Sequence, residues 1–203
     1  MTLMAEIALE KGLDALSMRD VAKRAGISLA ALQYHFPSKD ELIAAFVNAM
    51  LDGYRKEISA IRSASDKASE LRNIVVFAAR QTLDERTGDI FAMLEARAIH
   101  DPSTALALDG FMRSYLETVY DALLRRHSLV PMKDAQLAAT KIVAMIEGLS
   151  SVRPAAQAMG LSGDDLCEAV ATMAEAITPA HERQLSSYPT EGNDSRFGSS
   201  EVS

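Results

Sequence analysis

The sequence predicts an all-α protein, and three observations carry the prediction. Ala, Leu and Met dominate the 48% of residues that are hydrophobic, and all three are strong helix formers. No β-branched run alternates with polar residues at period two, the pattern a half-buried strand requires. Serines followed three residues later by an acid stand ahead of apolar-periodic stretches, which is how helices open. The 203 residues suffice for one large or two small domains with cores of their own.

The elements follow in order. A short helix runs over 3–11 and stops at Gly12, a helix-ending residue. Ser17 opens a second helix, with Asp20 as capping acid and Val21, Ala22 and Ala25 on its apolar face, and Gly26 breaks it. Ser28 caps a third helix through His35, which Pro37 ends. The "SKDE" at 38–41 is a capping box for a long fourth helix to about residue 61, with Leu42, Ile43, Phe46, Ala49 and Met50 inward. Polar "RSASDKAS" at 62–69 separates two modules. Further helices are expected over 70–83, 90–100, 104–127, 133–152 and 163–177, with breaks at "DERTGD", "HDPS", "SLVPMKD" and "RPAAQAMGLSG". A tail over 179–203, rich in Ser, Gly and Pro, is expected to be disordered.

The longest apolar runs fall far short of the roughly 20 residues a membrane span needs. The opening "MTLMAEIALEKG" is too short for a signal sequence and carries Glu6 and Glu10. One cysteine, Cys167, excludes an intramolecular disulfide, fits a reducing cytoplasm and reads as a small apolar filler. The net charge of −7 argues against a generic nucleic-acid binder, but its distribution is uneven. Between Ser17 and Lys39, four cations (Arg19, Lys23, Arg24, Lys39) face Asp20 alone, whereas from Ala49 onward 16 basic residues face 22 acidic ones. A small basic face on an acidic body suits local phosphate contact, with repulsion holding the body off a polyanion.

That basic segment has the spacing of a helix-turn-helix. Leu32 and Phe36 project from its second helix towards Val21, Ala22 and Ile27, which leaves Ala30 and Tyr34 pointing away from the core, flanked by Ala31 and Gln33. Alanine methyls permit close approach and can meet thymine methyls. Gln33 has the shape for a bidentate contact to adenine, and Tyr34 can donate to a phosphate. Lys39, at the start of the next helix, sets a cation beside free backbone N–H groups. Tyr34 and His35 could instead close a core beneath Pro37, with His35 nearer the buried side. Arg19, Lys23 and Arg24 could be a solvated helix face.

The stretch "LSMRDVAKRAGISLAALQYHFPSKDELIAAF" resembles the DNA-binding domain of the tetracycline-repressor (TetR) family of bacterial regulators. Ser17, Val21-Ala22, Ala25-Gly26-Ile27-Ser28, Leu32, Tyr34-His35-Phe36, Ser38-Lys39 and Leu42 match the family pattern position by position. The match covers about 45 residues; beyond them only the helical layout agrees. The resemblance implies a helix-turn-helix DNA-binding domain over 1–48 and a helical ligand-binding and dimerisation domain over 49–178. Its DNA-contacting set is Ser17, Arg19, Ser28, Leu29, Ala30, Ala31, Gln33, Tyr34, His35 and Lys39. Members commonly carry Tyr at the position of Gln33 and Gly or Thr at those of Ala30 and Ala31, so base preference does not carry over. They usually have a basic arm before the first helix, whereas this sequence starts inside that helix.

In the second module the 104–127 helix carries a wide apolar stripe: Leu108, Phe111, Met112, Tyr115, Leu116, Val119 and Leu123. Core packing is the default reading of such a stripe. Polar groups beside the stripes, Gln81, Arg97, His100, Tyr115 and Thr118, are candidate pocket residues, and Met93, Met112, Met145 and Met173 suit either an adaptable cavity or a core. Leu137, Ile142, Met145, Ile146 and Leu149 on one late helix, with Leu166, Val170, Met173 and Ile177 on the next, read as a four-helix dimer interface. Small neighbours Ala169, Ala171, Ala174 and Ala176 would allow close approach. The four histidines lack metal-ligand spacing, and no phosphate loop, nucleophile elbow or paired-carboxylate motif occurs, so neither an enzyme nor a metal or cofactor site is expected. The sequence therefore reads as a cytoplasmic, homodimeric regulator of a double-stranded DNA operator, answering to an unidentified small-molecule effector and more readily a repressor than an activator. The alternative is a helical small-molecule-binding or adaptor protein that uses its helix-turn-helix for protein contact.

Overall fold

A computed structural model describes residues 3–177, which form nine helices and, among those residues, no strand. The tail over 179–203 lies outside the described residues. None of the described helices is long and apolar enough to cross a membrane.

Local capping chemistry sets the first four helices. α1 (Leu3–Lys11) ends at Gly12, which adopts φ +81°. α2 (Met18–Ala25) starts where the Ser17 hydroxyl accepts the Asp20 N–H at 3.1 Å. It stops at Gly26, whose φ of +70° returns its N–H and that of Ile27 to the carbonyls of Lys23 and Ala22. α3 (Leu29–His35) is capped by Ser28 through the Ala31 N–H, and α4 (Lys39–Ala64) by Ser38 through the Glu41 N–H. Gly26→Ala isolates the cost of the left-handed turn, since an added Cβ would meet nothing within 4 Å. The expected loss is about 1 kcal/mol, read from urea unfolding; an unchanged midpoint would mean that the turn relaxes.

Three inward assignments move outward. Ala25 and Ala49 are exposed, and Ile27 is 45% exposed. Ala25 closes α2 and Ile27 follows the Gly26 turn, so both ride past the end of the buried face.

The remaining helices are α5 (Glu70–Leu83), α6 (Glu85–Ala98), α7 (Pro102–Arg126), α8 (Met132–Ala158) and α9 (Gly163–Ala176). Two expected breaks are present but short, because an aspartate in each starts the next helix. Asp84 caps α6 by accepting the Thr87 N–H at 2.8 Å, so that helix begins five residues before Ile90. Asp101 caps α7, with Pro102 at the first helical position, where its missing N–H costs nothing. α8 runs through Pro154 to Ala158, six residues beyond the expected end. Pro154 is exposed, so water can serve the Ser150 carbonyl that loses its ladder donor, and helix-favouring alanines carry the chain on to Gly160 at φ +85°.

Two cores organise the molecule. The first joins α1, α2, α3 and the start of α4, through residues such as Ile7, Val21, Leu32, Ile43 and Phe46, to Ile90 and Leu94 of α6 and Phe111 of α7. The second packs α5, the end of α7, α8 and α9, with Ile74, Val119, Ile142 and Ile146 among its fully buried members. α4 is continuous across both the 48/49 division and much of the distance between the cores. Most of the stripe read as a dimer interface lies inside this second core: Ile142, Ile146, Leu149 and Val170 are buried. α8 is apolar on two faces, and the protomer takes one of them. The face left exposed carries Leu137, Ala144, Gly148 and Val152 on α8, with Ala169, Met173 and Ala176 on α9.

Candidate nucleic-acid interface and ligand cavity

α3 is held by one buried side chain. Leu32 is 5% exposed and Phe36 half-buried, which turns the opposite face outward. Ala30, Ala31, Gln33, Tyr34 and His35 are all exposed, and Leu29 is half-buried. Tyr34, 82% exposed, meets His35 edge-on at 5.2 Å, so neither residue closes a core under Pro37. The hydroxyls of Ser17 and Ser28 are engaged as helix caps.

The cations behind this face divide into two groups. Arg24 makes a bidentate pair with Glu10, one contact at 3.0 Å, and Lys11 meets Asp20 at 2.6 Å. These contacts hold the Glu10 and Asp20 carboxyls below the usual carboxylate range and clamp α1 to α2. Arg19 and Lys23 are exposed and make no ion pair with a described residue, so they remain the available phosphate partners on α2. Lys39 is half-buried, its Nζ donating to the Asp14 carbonyl at 2.5 Å.

A cavity of about 100 Å³ lies between α4, α5, α6, α7 and α8. The chain has six Phe and five Tyr, and five of these aromatics line it. Tyr54 is central, with its ring edge-on to Phe77 at 5.9 Å, Phe91 at 5.9 Å and Phe111 at 5.5 Å. Gln81, Thr82, Glu95, Tyr115, Glu147 and Ser150 are among its polar lining. Burial pushes the Tyr54 and Tyr115 hydroxyls up. Burial, then the negative charge of Glu95, pushes the Glu147 carboxyl up.

Of the sequence candidates, Gln81 and Tyr115 border this cavity, and Thr118 borders a neighbouring cleft beyond Tyr54 and Phe111. Arg97 and His100 lie elsewhere. Arg97 stands about 200° around α6 from Glu95, so it faces the N-terminal helices and binds Asp14, Asp40 and Asp101 at 3.3, 2.6 and 3.0 Å. His100 is exposed past the end of α6. None of the four methionines borders the cavity; Met93, Met112 and Met145 pack against the cores, and Met173 is exposed. The carboxylates went unread in the sequence. Glu147, flanked by Ile146 and Leu149 in a mostly apolar helix, was the available signal.

Residues 5–46 match the family model described as "Bacterial regulatory proteins, tetR family". The matched span is the capped α1–α2–α3 unit and the start of α4, the part whose geometry presents α3 outward. The chain carries a tetR-family DNA-binding domain and is a DNA-binding transcriptional regulator. Over 146 residues the regulator is 25% identical to the HTH-type transcriptional regulator PksA of Bacillus subtilis (strain 168), covering 71% of each chain. It is 26% identical over 142 residues to the HTH-type transcriptional activator FasR of Mycolicibacterium smegmatis, covering 70% of this chain and 64% of the relative. The crystal structure of a transcriptional regulator from Rhodococcus sp. Rha1 superposes with a TM-score of 0.69 at 26% identity, covering 86% of this chain and 91% of the other. The likeness to that structure therefore extends past the head into the helices that build the cavity.

Proposed function

We propose that this regulator is a cytoplasmic homodimer that represses transcription from a palindromic operator and is released by a small molecule. The observation that carries the reading is the sharing of parts between cavity and head. Phe111 borders the cavity and belongs to the core of the head, and Phe91 borders the cavity and packs against that core. α4 reaches from the cavity at Tyr54 to Lys39 beside the recognition helix. A ligand that repositions these rings changes the packing under the head, which gives it different affinities for two arrangements of the heads. Two heads related by a two-fold axis read two half-sites about 34 Å apart or a multiple of it. The exposed small-residue face of α8 and α9 supports pairing there.

Binding of the full chain to promoter fragments from its own genomic neighbourhood tests operator recognition, and footprinting tests the paired half-sites. Deleting the gene should raise transcription from those promoters. A second reading, an activator with the same head and cavity, is favoured by the name of the relative FasR and requires that transcription fall instead.

Arg97 ties the end of α6 to the head. Arg97→Gln should cost about 1 kcal/mol, because its charge-assisted bonds reach carboxylates that are mostly exposed. It should also speed amide exchange across residues 12–16. Unchanged exchange there would show that the head is held to α6 by apolar packing alone.

A further inference from the structure

We propose that the cavity binds a small protonated amine with an apolar body, its ammonium group lying between the Glu147 carboxylate, the Tyr115 hydroxyl and the faces of the surrounding rings. This deepens the ligand-release reading above and rests on it.

Charge is the first argument. Two ionic groups border the cavity, Glu95 and Glu147, both carboxylates, and no Lys, Arg or His among the described residues borders it. Glu147 projects from α8 and is faced by Glu95 of α6, Tyr54 of α4 and Tyr115 of α7, while α5 offers uncharged Gln81. No ion pair or hydrogen bond involving the Glu147 carboxylate occurs among the described residues, although burial and Glu95 oppose its ionisation. A half-buried carboxylate beside a second one and against aromatic rings weakens the fold by itself. A cation reverses the sign of that cost.

Tyr115 supplies an independent observation. Its side chain is 5% exposed, and its hydroxyl has no hydrogen-bond partner among the described residues. A buried, unpartnered hydroxyl beside the cavity is an acceptor for an N–H donor. The rings add a third, since aromatic faces carry negative potential and attract a desolvated cation. An anion would meet two carboxylates, and a purely apolar ligand would leave Glu147 and Tyr115 unpaired. The cavity of about 100 Å³ limits the enclosed end of the ligand to a compact group. The neighbouring cleft, which shares Tyr54, Ile58, Phe111 and Tyr115 with it and whose Arg55 and Arg62 are paired with Asp52, Glu70 and Asp121, leaves room for the apolar body.

Isothermal titration of the full-length protein with benzylammonium chloride, benzyl alcohol and sodium benzoate tests this with one ring and three charges. Benzylammonium should bind about tenfold or more tighter than benzyl alcohol, and benzoate should not compete. Glu147→Gln removes an unpaired carboxylate and so keeps the fold; it should reduce that preference to about twofold or less. Tyr115→Phe should weaken benzylammonium about threefold or more. Benzyl alcohol or benzoate binding as tightly as benzylammonium, or benzylammonium failing to bind, would overturn the amine site. The two readings separate in the operator assay. Benzylammonium that binds without changing operator affinity keeps the amine site and removes ligand release. Operator release by benzyl alcohol or benzoate alone does the reverse.

Discussion

Met173→Glu is expected to turn the regulator into a monomer. Met173 is 54% exposed in the protomer, and the face around it presents Ala169, Ala176, Leu137 and Val152. In the proposed dimer, pairing α8 and α9 with their copies buries that face. A glutamate in the middle then becomes an uncompensated buried charge, costing about 3–5 kcal/mol in each half of a two-fold interface. In the isolated protomer the same change lies at the surface and should alter unfolding by no more than about 0.5 kcal/mol. Sedimentation at micromolar concentration therefore separates the two effects, with dimer expected for the wild type and monomer for the variant at nearly unchanged stability. Operator affinity should drop as well, because a single head holds one half-site. A wild-type monomer in that measurement would sink the proposed interface.

The second large effect distinguishes base reading from positioning on α3. Gln33 is exposed between the small side chains of Ala30 and Ala31 and the outward Tyr34. Gln33→Ala should cost about 1–3 kcal/mol on the cognate operator and relax preference at one base pair in each half-site. Lys39→Ala should weaken binding about equally on all sequences and flatten the salt dependence by about one charge per half-site. Lys39 must exchange its bond to the Asp14 carbonyl for a phosphate to do this, so the same variant also reports whether that bond matters to the free protein. Titrations on the operator and its single-base-pair variants, at several salt concentrations, measure both. Uniform loss from Gln33→Ala, with altered base preference from Lys39→Ala, would invert the two roles. If neither residue affects binding, α3 is not the reading head.

The head was legible because its determinants act over three or four residues. Ser17, Ser28 and Ser38 each cap the helix that follows, and Gly26 and Pro37 bound α2 and α3. Capping also explains two misplacements. Asp84 and Asp101 sit in "DERTGD" and "HDPS", where Gly and Pro suggest a break, yet each aspartate starts a helix. The cavity depended on non-local packing that no local pattern encodes. Tyr54, Phe77, Phe91, Phe111 and Glu147 come from five different helices and meet only after those helices cross. The same limit applies to α8. Its periodicity marks apolar positions, but which face the protomer buries and which it leaves open depends on where α5 and α9 dock.

Phe91 and Phe111 have a consequence for how such a regulator can be retuned. Phe111 belongs to the core of the head and Phe91 packs against it, and both rings border the cavity. Reshaping the cavity around a different inducer through these positions therefore shifts basal operator occupancy in the same step. Variants selected for a new response should show altered leakiness before any inducer is added. Substitutions at Gln81 or Ser150, which border the cavity outside the head's core, should change ligand preference with less background drift. A screen that scores uninduced and induced expression together would divide mutations into these two groups, and the division should follow membership of the head's core rather than distance from the ligand.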